Sequence, residues 1–284
     1  VNDIDFSDAA LVVLGHGTTL NDQSAAPVHQ HVEELRRRRI FREVQPAFWK
    51  QEPHVQKVLA QTSAPRVFIV PLFISEGYFS TEVIPRELGF HFPDRLTLAT
   101  PTARLFYCHP IGSHPDMTKV ILARAEGVVE KHPFPRKAKA AETTLFIAGH
   151  GTGRNKMSRQ AIENQVALIR ALNLYPAVHP IFMEEDPRIS DCYAVATTRN
   201  LVVVPFFISD GLHAVEDIPV LLGEPGRIVK ERLAAGQPTW RNPTEKNGKL
   251  VWYAPSVGTE PLMADVILQR ASEAAIQSGA AEVI

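Results

Sequence analysis

Cysteine is scarce in this chain. Cys108 and Cys192 are the whole supply among 284 residues, and no Cys-x-x-Cys pair occurs. That excludes a disulfide framework, a Cys-ligated structural zinc site and a four-Cys iron–sulfur cluster, and it makes a reducing cytoplasm the expected compartment. Long apolar runs are missing as well. None approaches the roughly 18 residues that a membrane helix needs, so no membrane partner is expected. Neither sign of charge dominates: Lys and Arg total 30 against 31 Asp and Glu, a formal net charge of −1. The broad basic face that nucleic acid requires is therefore not expected. Val1 to Asp8 is acidic, carries no signal-peptide pattern and lacks an initiator Met, which leaves the completeness of that end open.

Phosphate-loop signatures are absent too. Gly149 to Lys156 is rich in glycine, but Arg154 stands where both G-x-x-x-x-G-K-[ST] and G-x-G-x-x-G require glycine. No Gly-x-Ser-x-Gly nucleophile elbow occurs either. No nucleotide cofactor is expected.

What the chain does contain is a copy of itself. Leu14-Gly15-His16-Gly17-Thr18 returns 134 residues later as Ala148-Gly149-His150-Gly151-Thr152. The same offset pairs Phe48 with Phe182 and Pro53 with Pro187, aligns Val70 to Gly77 with Val204 to Gly211, and pairs Ile84-Pro85 with Ile218-Pro219. Later the offset is 146, pairing Gly112 with Gly258 and Pro115 with Pro261. The second copy thus carries 12 extra residues, which the composition places in Gly223 to Gly248.

Each copy alternates strand and helix signals. Leu11 to Leu14 and Leu145 to Ala148 are apolar runs that end in Gly, as buried strands do. Val28, Val32 and Leu35 form a helical stripe that Ile162, Val166 and Ile169 repeat, with Ser24 and Ser158 as expected N-caps. Second strands end near Phe48 and Phe182. Third strands fall in Arg66 to Ile74 and Leu201 to Ile208, and fourth strands in Leu105 to Cys108 and Leu250 to Tyr253. Helices close each copy at Met117 to Glu130 and Leu262 to Ala275. The alternation predicts an α/β fold: two tandem domains, each a four-stranded parallel sheet with helices on both faces. The expected boundaries are 1–131 and 144–284, joined by a Pro- and Lys-rich linker at 132–143.

Ligands of open α/β sheets bind at the carboxyl ends of the strands. In the second copy three ligand-type residues fall there: His150 after strand one, Glu184 after strand two and His213 after strand three. Two imidazoles and a carboxylate suit a divalent first-row metal while leaving coordination positions open, and they can take up protons near neutral pH. Glu184, Glu185 and Asp186 are consecutive, so which acid points inward is open at this level. The first copy is an internal control. It keeps His16 but has Lys50 in place of Glu184 and Phe79 in place of His213. An ammonium repels a cation, so the chemistry is expected in the second copy, with the first as a wall or substrate lip.

These residues resemble the type II chelatases of tetrapyrrole biosynthesis, in particular the CbiX-type sirohydrochlorin chelatases. The resemblance is carried by Gly149 to Thr152, Phe182 to Pro187 and Val203 to Pro219, with the same frame in Gly15 to Thr18, Phe48 to Pro53 and Val70 to Pro85. It implies two chelatase-like, flavodoxin- or Rossmann-like domains facing a cleft that holds the macrocycle, and an ATP-independent reaction. It implies that a divalent metal (Co²⁺, Fe²⁺ or Ni²⁺) is a substrate, with His150, His213 and Glu184 binding it and accepting pyrrole protons. Sirohydrochlorin carries many carboxylates, so Arg154, Arg159 and Ser209 are the residues expected to contact it. Cobalt is the favoured metal; a ferrochelatase, a nickel chelatase and a non-catalytic tetrapyrrole or metal carrier are the alternatives. Two fused copies suit a monomer or a homodimer.

Overall fold

The structure is a computed structural model that describes residues 4–18, 24–151 and 156–279. It divides into two compact units, Val1–His114 with Pro261–Ile284, and Pro115–Glu260. These do not coincide with the sequential boundaries at 131 and 144. The helix that closes each copy belongs to the other copy's unit.

In the first unit β1 (Ala9–Gly15), β2 (Glu43–Phe48), β3 (Arg66–Pro71), β4 (Thr97–Ala99) and β5 (Arg104–Tyr107) form one sheet in the order β2-β1-β3-β5-β4. In the second, β6 (Thr143–Gly149), β7 (Ala177–Phe182), β8 (Asn200–Pro205), β9 (Thr244–Lys246) and β10 (Lys249–Tyr253) repeat it as β7-β6-β8-β10-β9. The four expected parallel strands are present in each. The fifth, β4 or β9, pairs antiparallel at the edge, which departs from the four-stranded expectation. Three residues are too few to carry a readable alternation.

β1 and β6 are buried along their whole length. A parallel strand covered on both faces has no solvent side, which is why Ala9–Gly15 and Thr143–Gly149 lack polar alternation. α1 (Ala26–Arg38) and α5 (Lys156–Ala171) follow them and bury the expected stripes Val28/Val32/Leu35 and Ile162/Val166/Ile169. The expected serine caps are not used. Ala25 is the N-cap of α1, where Pro27 supplies a helix-ready φ in the first turn, and Ser158 lies inside α5. Short helices follow β2 and β3: α2 (Val55–Gln61) and α3 (Ile84–Glu87). Their counterparts are α6 (Cys192–Val195) and α7 (Ile218–Leu221).

α4 (Met117–Lys131) packs on β8 and β10, within the second unit, and α9 (Met263–Gln277) packs on β3 and β5, within the first. The expected linker is not a free spacer: Ala140–Glu142 forms a 3₁₀ turn and Thr143 already begins β6. The 12-residue excess of the second copy appears where composition placed it. It contributes α8 (Gly226–Ala234) and the segment leading to β9, and it buries Trp240 in that unit's core.

Candidate functional site

β6 and β8 are neighbours, and the sheet order reverses at this pair: β7 lies beyond β6, and β10 beyond β8. This is the switch point where open α/β sheets bind ligands. His150 follows β6 directly. Its local backbone explains the two glycines around it. A Cβ on Gly149 would fall 2.0 Å from Ile162 Cδ1, so the residue's bareness lets α5 close on β6. Gly151 has φ +65°, and a Cβ there would lie 2.6 Å from the Cβ of Phe182. The chain turns sharply at His150 while pressed against β7. The β6–β7 ladder runs on into the site: the Glu184 N–H donates to the His150 carbonyl over 3.1 Å.

His213 opens a π-helical turn, His213–Asp217, after β8. That turn brings its ring to 5.0 Å from the His150 ring, centroid to centroid and nearly perpendicular (86°). Glu184 Oε2 lies 3.8 Å from His150 Nδ1. His150 Nδ1 is buried and has no hydrogen-bond partner among the described residues. His213 Nδ1 pairs with Asp217 Oδ2 at 2.7 Å. With Nδ1 engaged by Asp217, Nε2 is the ring nitrogen left for a metal or a proton.

The three residues expected from sequence thus come together pairwise around His150. Among the described residues, however, no three His, Cys, Asp or Glu side chains come together closely enough to hold a metal ion, so the expected set of His150, His213 and Glu184 is not assembled as a three-ligand site. Glu184 and His213 remain well exposed, at 59% and 51% of their side chains.

The choice among the three consecutive acids resolves on contacts. Glu185 is held inward: its carboxylate meets Arg159 at 3.2 Å and packs beside Gly151. Asp186 pairs with Arg188. Glu184 alone of the three faces His150. Arg159, expected on a substrate rim, is otherwise engaged. It binds Glu163, Glu185 and the Asp186 carbonyl, and its guanidinium lies over the Phe182 ring at 4.8 Å. The carboxylates Glu163 and Glu185 raise its pKa further, against the effect of burial. Ser209 lies in the loop between β8 and His213, and its carbonyl accepts from the Ser256 hydroxyl. Arg154 lies outside the described residues.

The first unit shows the same frame with other side chains. The His16 ring stands 4.9 Å from Phe79, which occupies the place of His213. Lys50, in the place of Glu184, has its ammonium 5.8 Å from that ring. His16 Nδ1 meets the Gly17 carbonyl at 2.8 Å instead of a carboxylate.

Two residues that shape the candidate site were not expected from the sequence. Asp217 lies four residues after His213, a spacing that on a helical turn stacks the two side chains; the first copy has Val83 there. Tyr253, at the end of β10, donates its hydroxyl to the Ala214 carbonyl over 2.6 Å, just as Tyr107 donates to Ser80 in the first unit. Burial drives the Tyr253 pKa well upward, so the phenol keeps the proton that anchors the His213 turn.

The fold and this strand-end imidazole pair define a class, and comparison with known proteins agrees. The CbiX family model matches residues 10–128 and again 144–274. A probable sirohydrochlorin cobaltochelatase of Halobacterium salinarum is 38% identical over 95% of this chain and 93% of its own. A sirohydrochlorin cobaltochelatase of Methanopyrus kandleri, 28% identical, aligns 95% of its length with 46% of this chain, as a single-copy relative of a doubled one would. Among solved structures, a multi-domain Deinococcus radiodurans protein with structural similarity to chelatases superposes with a TM-score of 0.76 at 27% identity. That match covers 94% of this chain and 55% of the other, which has two additional domains. SirB from Bacillus subtilis shares the fold over 97% of this chain and 99% of its own, with a TM-score of 0.68 at 16% identity. The chain belongs to the CbiX family of chelatases.

Proposed function

We propose that the protein inserts a divalent metal, cobalt foremost, into sirohydrochlorin without ATP, at His150, His213 and Glu184. The observation that carries this reading is the asymmetry between the copies. One scaffold presents His150, Glu184, His213 and Asp217 in the second unit, and His16, Lys50, Phe79 and Val83 in the first.

The reaction exchanges two pyrrole N–H protons for one dication, so it needs a metal donor that lets go and a base that takes the protons. The pair His150 and His213, 5.0 Å apart, can hold the metal from one side and leave the remaining positions to the macrocycle nitrogens. The exposure of Glu184 and His213 favours transfer over storage. As the metal–nitrogen bonds form, each pyrrole proton passes to an imidazole nitrogen freed by the departing metal. Glu184, 3.8 Å from His150 and open to water, carries the protons onward. Asp217 holds the His213 ring in one tautomer and is a positioning residue.

The test is a visible-spectrum insertion assay with sirohydrochlorin and, separately, Co²⁺, Fe²⁺ and Ni²⁺. Enzyme-dependent loss of the free-base spectrum, fastest with Co²⁺ and lost in His213→Ala, is the expected result. A bound but never metallated spectrum identifies a carrier and overturns the reading. Turnover fastest with Fe²⁺ or Ni²⁺ overturns the choice of metal.

A further inference from the structure

The second unit contains a cavity of about 890 Å³ bounded by α4, the segment Leu233–Asn242 and the end of β10. His150, Glu184 and His213 are not among its walls. The first unit has a counterpart in the same place, between α9 and the end of β5, of only about 200 Å³. The offset of 146 matches the two walls residue by residue: Arg124 with Arg270, Lys131 with Gln277, Tyr253 with Tyr107.

Two differences account for the change in size. The extra residues of the second copy supply a new wall, including Trp240 and Arg241. The other difference is Gly127, which stands where the first unit has Glu273. Glu273 fills its own pocket, binding Arg270 at 2.7 Å and His114 at 3.2 Å. A Cβ on Gly127 would meet nothing within 4 Å. Glycine in a helix interior costs about 1 kcal/mol relative to Ala. At Gly127 it keeps the space open and removes a carboxylate from it.

The chemistry of the walls is amphipathic. Trp240, Tyr253, Val128 and Leu233 form the apolar part, and Trp240 and Tyr253 are largely buried. The acids that face the cavity are already occupied. Asp210 accepts from the Ser256 N–H and the Thr259 hydroxyl, and Glu260 pairs with Arg124 at 3.3 Å. Lys131 and Arg241, from different elements, are exposed at the rim and have no carboxylate partner among the described residues. An apolar floor with two uncompensated cations at its mouth is a site for an organic anion with a flat apolar body.

We infer that this cavity binds an amphipathic organic anion, an aromatic body bearing a carboxylate or phosphate, at a site separate from the chelation centre. The inference is independent of the reaction proposed above. Its inner wall includes Ala214 and Val215, the two residues after His213, so the ligand also touches the element that carries His213.

The probe is 8-anilinonaphthalene-1-sulfonate, titrated into the full-length protein and read by fluorescence. Saturable binding of one probe per chain is expected. Gly127→Glu, which installs the residue the first unit holds at the same helix position, should weaken it by about tenfold or more, or ~1.4 kcal/mol. The exposed double variant Lys131→Ala/Arg241→Ala should weaken it by a similar factor, and it keeps the test informative if Gly127→Glu does not fold. Competition with 2-naphthoate, 1-naphthyl phosphate and 2-naphthalenemethanol then reads the anion requirement. Displacement by either anion at concentrations about tenfold below the alcohol supports the site, and the stronger anion tells carboxylate from phosphate. Unchanged probe affinity in the folded variants, or displacement by the alcohol as readily as by the acids, overturns it.

Discussion

His213 Nδ1 and Asp217 Oδ2 stand 2.7 Å apart on one π-helical turn, and the first copy replaces both residues, with Phe79 and Val83. The two positions thus differ together between the copies. In the proposed reaction Asp217 is the acid that orients a metal-binding imidazole. Outer acids of this kind contribute about 10- to 100-fold to metal affinity or activity. Asp217→Ala should therefore lower turnover within that range while leaving the KM for the tetrapyrrole and the far-UV circular dichroism unchanged. Steady-state kinetics with each substrate varied in turn separates the two parameters.

Tyr253 anchors the turn that carries His213, and Tyr107 anchors its counterpart in the first unit. Removing either hydroxyl strands a buried carbonyl, at a cost of about 1–3 kcal/mol. Denaturant melts of Tyr253→Phe and Tyr107→Phe should show comparable losses of stability. Only Tyr253→Phe should also lower chelatase activity in folded protein.

Glu273 makes a prediction about acid. Burial raises its pKa, but hydrogen bonds from His114 and Arg270 and the charge of the arginine outweigh that and bring it down from 4.5 to about 2. A carboxylate with a depressed folded pKa adds stability above its unfolded pKa, and that stability fades as pH falls toward the folded value. Between pH 4.5 and about 2 the wild type should therefore lose stability more steeply than Glu273→Gln. Thermal melts across that interval check it, and parallel curves would contradict it.

The glycines separate by conformation. Gly151→Ala forces a Cβ into Phe182 at a positive φ and should destabilise by more than about 1 kcal/mol. Gly127→Ala meets open space inside a helix and should stabilise by about 1 kcal/mol. Urea unfolding of the two variants should move in opposite directions.

Much of this was legible in the sequence because the chain states it twice. The repeated Gly-His-Gly fixed where strand one ends, since only a bare residue lets α5 approach β6 and only a glycine turns so sharply beside Phe182. That His150 and His213 stand beside each other was readable from the strand ends, whereas the separation of Glu184 from Glu185 and Asp186 came only with their contacts. The exchange of α4 and α9 between units was not legible, because the segment after β5 is compatible with either sheet and no local pattern says which face a helix will cover. β4 and β9 are too short to show a period. Arg159 looked like a rim cation because Glu185 meets it only once α5 lies beside the β7 end, although its i,i+4 pair with Glu163 on α5 was within reach of the spacing. Asp217 was within reach: its spacing from His213, read against Val83 in the first copy, carries the signal.

The most direct test of the central claim compares one histidine in each copy under the same insertion assay. His150→Ala should abolish metal insertion into sirohydrochlorin, whereas His16→Ala, whose ring faces Phe79 and the Gly17 carbonyl, should retain most of the wild-type rate. Loss of activity in His16→Ala with near-wild-type activity in His150→Ala would place the chemistry in the other copy and contradict the account.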